Sequence, residues 1–158
     1  MGAVCSFHCQ LSIHIQALVQ GGVFDRFPGA KIIVDHLGEN LPMHIWRADQ
    51  HAKNWGKWMG GKNEKTYDYY FHNVTHFENE LMENIWVTTS GNFNTKALLF
   101  CIDVLGADRI IFSIDAPYEK IEEGQTWWKS LDKVLDEDTQ HKIARGNAIK
   151  LLKLPLKN

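Results

Sequence analysis

The chain has no long apolar run, no excess of positive charge, no repeat and no low-complexity tract, and each lack removes a class of function. No stretch approaches the roughly 18–20 consecutive apolar residues that cross a bilayer. The apolar part of the first twenty residues is interrupted by His8 and His14 and has no basic flank of the secretory kind. With 17 Lys and Arg against 19 Asp and Glu, the formal charge is -2, and no sequence-wide positive field exists to hold nucleic acid or anionic lipid. Cysteine is scarce: Cys5, Cys9 and Cys101 are an odd set, with no second pair to complete a zinc knuckle. All three read as reduced thiols, so the expectation is a soluble, cytoplasmic protein with small-molecule chemistry, no membrane and no nucleic-acid partner.

What is present is enough for one domain, since domains commonly run to about 100–200 residues, and 44% of the 158 residues are hydrophobic. Residues 11–27 carry apolar side chains at helical spacing and predict a short helix that breaks at Gly21-Gly22, before a Pro28-Gly29 turn. Residues 30–34 and 85–89 are short β-branched runs bounded by turn signals, which predict buried strands, and residues 109–114 predict a third. Helices are expected at 41–58, at 95–105 with Gly106 as C-cap, at 119–135 with an interruption near Gly124, and at 138–153. Residues 60–65 read as an exposed loop and 67–82 as one or two short helices. Strand, loop and helix recur three times, which requires parallel strands with helices packed outside them, an α/β fold.

In such folds ligands bind beyond the carboxyl ends of the strands, and three polar clusters fall there. Asp35-His36-Leu37-Gly38-Glu39 places an imidazole directly after a strand, with a carboxylate three residues on that can orient it for proton transfer. The alternative is a histidine held by backbone hydrogen bonds at a strand end. Asp115 closes the third strand, where a carboxylate needs a cation or donors: a metal site and an N-cap of the following helix both satisfy it. Thr88-Thr89-Ser90-Gly91-Asn92 supplies hydroxyls and an amide, and such turns are commonly helix caps. Arg47, eight residues past Glu39, can salt-bridge Glu39, meet a substrate anion or lie exposed.

Five runs in order, Gly22-Val23-Phe24-Asp25-Arg26-Phe27-Pro28, His36-Leu37-Gly38-Glu39 with Leu41-Pro42 and Trp46-Arg47, Val87–Phe93, Gly106–Asp115 and Gly146-Asn147-Ala148, resemble the amidohydrolase-related decarboxylases. The likeness is greatest to 2,3-dihydroxybenzoate and γ-resorcylate decarboxylases. The resemblance implies a metal-dependent (β/α)8 TIM barrel that removes carbon dioxide from a hydroxybenzoate-type aromatic acid without oxidation. It implies one divalent metal, zinc first and manganese or magnesium otherwise. Asp115 matches the family's last metal ligand and proposed proton donor, His36 and Glu39 its catalytic histidine and supporting glutamate, and Arg47 an active-site arginine. The family's early ligands lie upstream of the matched region, so the expectation is the C-terminal half of an incomplete barrel over residues 21–158, with 1–20 as an atypical head or the end of a barrel helix, and a homo-oligomer covering its open edges. Hydrolase chemistry and a non-catalytic remnant are the competing readings.

Overall fold

The structure, a computed structural model, describes residues 6–21, 23–48 and 84–156. The chain divides into two compact units, one of residues 1–32 with 38–84 and one of residues 33–37 with 85–158. The expected loop at 60–65, the helices at 67–82 and the continuation of the 41–58 helix past Ala48 lie outside the described residues.

The first unit is helical in its described parts. Helix α1 (Ser6–Gln20) begins earlier than its periodicity suggests and buries Ser12, Ile15 and Val19, three positions that share one face at 3.6 residues per turn. It ends at Gly21, whose N–H closes on the Ala17 carbonyl at 2.8 Å. A Cβ on Gly21 would stand only 3.0 Å from that oxygen, so the break falls on the glycine as expected. Helix α2 (Val23–Arg26) buries Phe24. Asn84 ties the following turn by donating from Nδ2 to the carbonyls of Pro28 and Ala30 at 2.8 and 2.7 Å. A third helix, α3, covers residues 41–48, with Pro42 in its first turn, Leu41 and Ile45 buried, and Met43 and Trp46 exposed.

A three-stranded sheet in the order β1 (Ile32–Val34), β2 (Ile85–Thr88), β3 (Ile110–Ile111) leads into the second unit. β2 runs parallel to β3, with Val87 opposite Ile110 and Thr88 opposite Ile111. All four residues of β2 are buried, as a strand covered on both faces requires. β3 is shorter than expected because the chain beyond Ile111 finds other partners. Phe112 N–H donates to the Ile143 carbonyl at 2.8 Å, and Ser113 is gripped through both its N–H and its carbonyl by the Thr89 hydroxyl.

Helix α4 (Thr95–Leu105) has the expected bounds, with the Asn94 side chain accepting from Lys96 and Ala97 N–H groups at its start and Gly106 at φ 83° after its end. It buries Leu98, Cys101 and Leu105. Helix α5 (Ile121–Ser130) is not interrupted at Gly124; the glycine is there for packing, because a Cβ would stand 3.0 Å from Ile114 Cγ1 and Phe93 Cζ. Phe93, Trp127, Trp128 and Phe112 form a chain of ring contacts beside it, with centroids 5.5, 6.1 and 4.6 Å apart. The last helix divides into α6 (Glu137–His141), a π-turn at Lys142–Gly146 and α7 (Asn147–Leu152). Buried Asn147 explains the register of α7: its Nδ2 donates to the carbonyls of Ala107 and Ile110, both at 2.7 Å. Among the described residues no helix is long and apolar enough to cross a membrane.

Candidate active site

His36 follows β1 in a run of left-handed residues: φ is 54° at His36, 58° at Leu37, 77° at Gly38 and 53° at Glu39. Each non-glycine residue in that region costs roughly 1–2 kcal/mol, so the turn needs support. Leu37 provides it by burial, at 2% exposure, and Cys101 of α4 donates its S–H to the Leu37 carbonyl at 3.5 Å. Burial pushes the Cys101 thiol up to about 11, which keeps the proton that this bond uses. Asn92 Nδ2 lies 3.5 Å from the His36 carbonyl.

The imidazole itself is held from β2's end. His36 Nδ1 lies 2.7 Å from the Ser90 carbonyl, which can only accept, so Nδ1 donates. In the neutral ring this leaves the lone pair on Nε2. The orienting partner of His36 is thus a backbone carbonyl. Glu39, expected to orient it, instead places Oε1 2.8 Å from Nδ1 of His8 on α1, because the left-handed turn carries it into the first unit.

Asp115, at φ 77°, comes to the same place from β3's end. Its backbone carbonyl accepts from the N–H groups of Tyr118 and Glu119 at 2.8 and 3.0 Å. Its side chain is not the cap of α5, since that helix begins at Ile121 with Lys120 in the cap position. Between the two groups sits Gly91 at φ 61°: a Cβ there would stand 3.1 Å from Asp115 Oδ2 and 3.1 Å from His36 Nδ1. Only glycine lets the imidazole and the carboxylate close over this turn. Gly91 N–H also donates to the Ile114 carbonyl at 3.3 Å, fixing the turn to the strand end that presents Asp115.

Of the four residues singled out from the sequence, the structure brings His36 and Asp115 together in the second unit. Glu39 and Arg47 belong to the first unit, the former paired with His8 and the latter exposed on α3. The hydroxyl-rich turn does more than its sequence suggests: Asn94 caps α4, while Thr88, Thr89 and Ser90 are buried at the strand ends. Three consecutive hydroxyl residues closing an apolar strand are the signal that identifies them. Asp115 suits a hard divalent cation as one oxygen ligand. Among the described residues, however, no three His, Cys, Asp or Glu side chains gather to hold a metal, whereas catalytic zinc takes three protein ligands.

The family profile described as Amidohydrolase matches residues 1–154. A γ-resorcylate decarboxylase from Polaromonas sp. is 36% identical over 156 residues, covering 98% of this chain and 44% of the relative. A solved dihydroxybenzoic acid decarboxylase from Polaromonas sp. JS666, with bound manganese and the inhibitor 2-nitroresorcinol, matches with TM-score 0.77 and 36% identity over 99% of this chain and 43% of that one. The 5-carboxyvanillate decarboxylase of Sphingomonas paucimobilis matches with TM-score 0.78 and 28% identity over 97% of this chain and 42% of that one. The chain therefore spans less than half the length of the relatives it matches, and its three strand and helix units are part of a TIM barrel, as expected. By this match, running through almost all of its residues, the chain belongs to the amidohydrolase family.

Proposed function

We propose that the chain forms the C-terminal part of a metal-dependent decarboxylase of hydroxybenzoate-type acids, and that His36 and Asp115 are its contribution to the active site. The observation that carries the proposal is the closure of these two side chains over Gly91 at the strand ends, in a chain 36% identical to a γ-resorcylate decarboxylase. Asp115 would hold a divalent cation as one oxygen ligand, and the cation would supply positive charge toward the anionic substrate. Zinc is our first choice on the sequence resemblance; manganese is bound in the Polaromonas relative.

The chemistry is then proton transfer. A proton is delivered to the ring carbon that bears the carboxylate, the bond to the carboxylate breaks, and its electron pair returns to the ring as carbon dioxide leaves. With Nδ1 engaged, the neutral form of the His36 ring keeps Nε2 as a base for the phenol, and Asp115, facing His36 across Gly91, is the proton donor of this reading in its protonated form. Glu39 and Arg47 are assigned supporting and substrate-anion roles by resemblance alone. The free thiols of Cys9 and Cys101 fit a cytoplasmic location. A homo-oligomer fits a sheet whose outer strand β1 leaves Ile33 42% exposed.

The test replaces the matching part of the Polaromonas γ-resorcylate decarboxylase with this chain, loads the chimera with manganese, and follows phenol formation from a panel of hydroxybenzoates. Turnover of at least one is expected. A folded, manganese-loaded chimera that converts none contradicts the proposal. The missing third donor among the described residues favours a second reading for the chain alone, a non-catalytic barrel portion. Decarboxylation by the isolated 158-residue chain rules that reading out.

A further inference from the structure

We propose that Thr88 is a positioning residue that sets the tautomer of His36. Thr88 ends β2 at 6% exposure, and its hydroxyl has two partners: it donates to Asp35 Oδ1 at 3.0 Å and accepts the Ser90 N–H at 3.4 Å. Asp35 is the residue immediately before His36, and Ser90 is the residue whose carbonyl holds the imidazole at 2.7 Å. One buried hydroxyl thus ties down both ends of the bond that orients the ring. The peptide group joining Ser90 to Gly91 completes the arrangement, since its oxygen accepts the imidazole Nδ1–H while its N–H is anchored on the Ile114 carbonyl at 3.3 Å.

A threonine that merely satisfied itself at a strand end needs one acceptor, which solvent or any nearby carbonyl supplies. Thr88 instead links the side chain on one strand end to the turn on the next. Such linked hydrogen bonds polarise and stiffen one another. The chemical result is selection: a free imidazole moves its proton between its two nitrogens, whereas a ring fixed against a carbonyl must keep the proton on Nδ1 and the lone pair on Nε2. A carboxylate is the usual orienting partner in proton-transfer sites; here Glu39 is engaged with His8 and Asp35 with the Thr88 hydroxyl, and the partner of the His36 Nδ1 is the Ser90 carbonyl.

The test reads the nitrogens directly. In the 15N-labelled 158-residue chain at about pH 8.5, where free imidazole with its pKa of about 6.5 is neutral, long-range nitrogen–proton correlation spectra report which nitrogen is protonated. His36 is assigned by the signals lost in His36→Gln. The wild type is expected to show a protonated Nδ1 and an unprotonated Nε2. Thr88→Val, which keeps the shape and removes both bonds, is expected to move both nitrogens toward exchange-averaged positions, and Thr88→Ser to restore the wild-type pattern. Asp35→Ala, at an exposed position, provides the readout if Thr88→Val does not fold, and is expected to give an intermediate shift. A proton on Nε2 in the wild type, or a wild-type pattern in a folded Thr88→Val or Asp35→Ala chain, overturns the proposal. Its consequence for turnover rests on the decarboxylase reading: in the chimera, Thr88→Val is expected to lower kcat about 10–100-fold with KM little changed. An inactive wild-type chimera defeats that reading while the nitrogen spectra still decide the role of Thr88.

Discussion

Replacing Gly91 by alanine adds a methyl group between the two side chains of the site. At φ 61° the new side chain sits in the left-handed region, which costs roughly 1–2 kcal/mol for a residue with a Cβ. The Cβ would also lie 3.1 Å from both Asp115 Oδ2 and His36 Nδ1 and 3.3 Å from His36 Cε1, so the imidazole or the carboxylate must retreat by a few tenths of an ångström. Losing the His36 to Ser90 hydrogen bond in that retreat removes about 0.5–1.5 kcal/mol more. The expected loss of stability is therefore about 1.5–3.5 kcal/mol, read by urea unfolding followed through tryptophan fluorescence, together with displaced His36 ring signals in the nitrogen spectra. A Gly91→Ala chain within about 0.5 kcal/mol of the wild type and with unmoved His36 signals refutes the geometry, because surface changes are of that size.

Asn147→Ala removes the Nδ2 donor from the buried Ile110 carbonyl and from the part-buried Ala107 carbonyl, which keeps the Ile110 N–H, and is expected to lower stability by about 1–3 kcal/mol, measured as a shift in denaturant midpoint; a change below about 0.5 kcal/mol contradicts it. The Cys101 thiol, raised from 9.0 to about 11 in the folded chain, ionises first in the unfolded state. Stability should thus be fully retained below about pH 9 and fall by an amount on the order of 2 kcal/mol as pH rises to about 11. A Cys101→Ala chain should lack that slope, and parallel pH profiles for the two chains would show the assignment to be wrong. Gly124→Ala forces a methyl against Ile114 and Phe93 and is expected to destabilise by about 1–3 kcal/mol with altered Trp127 fluorescence; an unchanged spectrum and midpoint would count against the packing described.

Much of this arrangement is legible in the sequence because it is local. The β2 run Ile85–Thr88 is apolar and β-branched between turn signals, and α4 carries its own punctuation in Asn94 and Gly106, so both fall where they are expected. The rule that chemistry gathers at strand ends is enough to set His36 and Asp115 on one rim of the sheet. What the sequence hides is decided by partners far along the chain. Glu39 turns to His8, a whole helix earlier in the chain, because four residues from His36 onward are left-handed, a conformation that only the glycine among them advertises. β3 stops at Ile111 because Ile143 captures Phe112 and Thr89 captures Ser113, and Gly124 reads as a helix break although its missing side chain makes room for Phe93. The π-turn at Lys142–Gly146 likewise has no local signature.

Whether His36 and Asp115 act as one unit in a decarboxylase site is decided by comparing phenol formation in the chimera and in its Asp115→Asn, His36→Ala and doubly substituted forms at equal manganese loading. Residues that act together are strongly non-additive. We expect each single substitution to remove nearly all the activity that the double substitution removes; losses that multiply, or a single variant with wild-type turnover, would contradict the joint role.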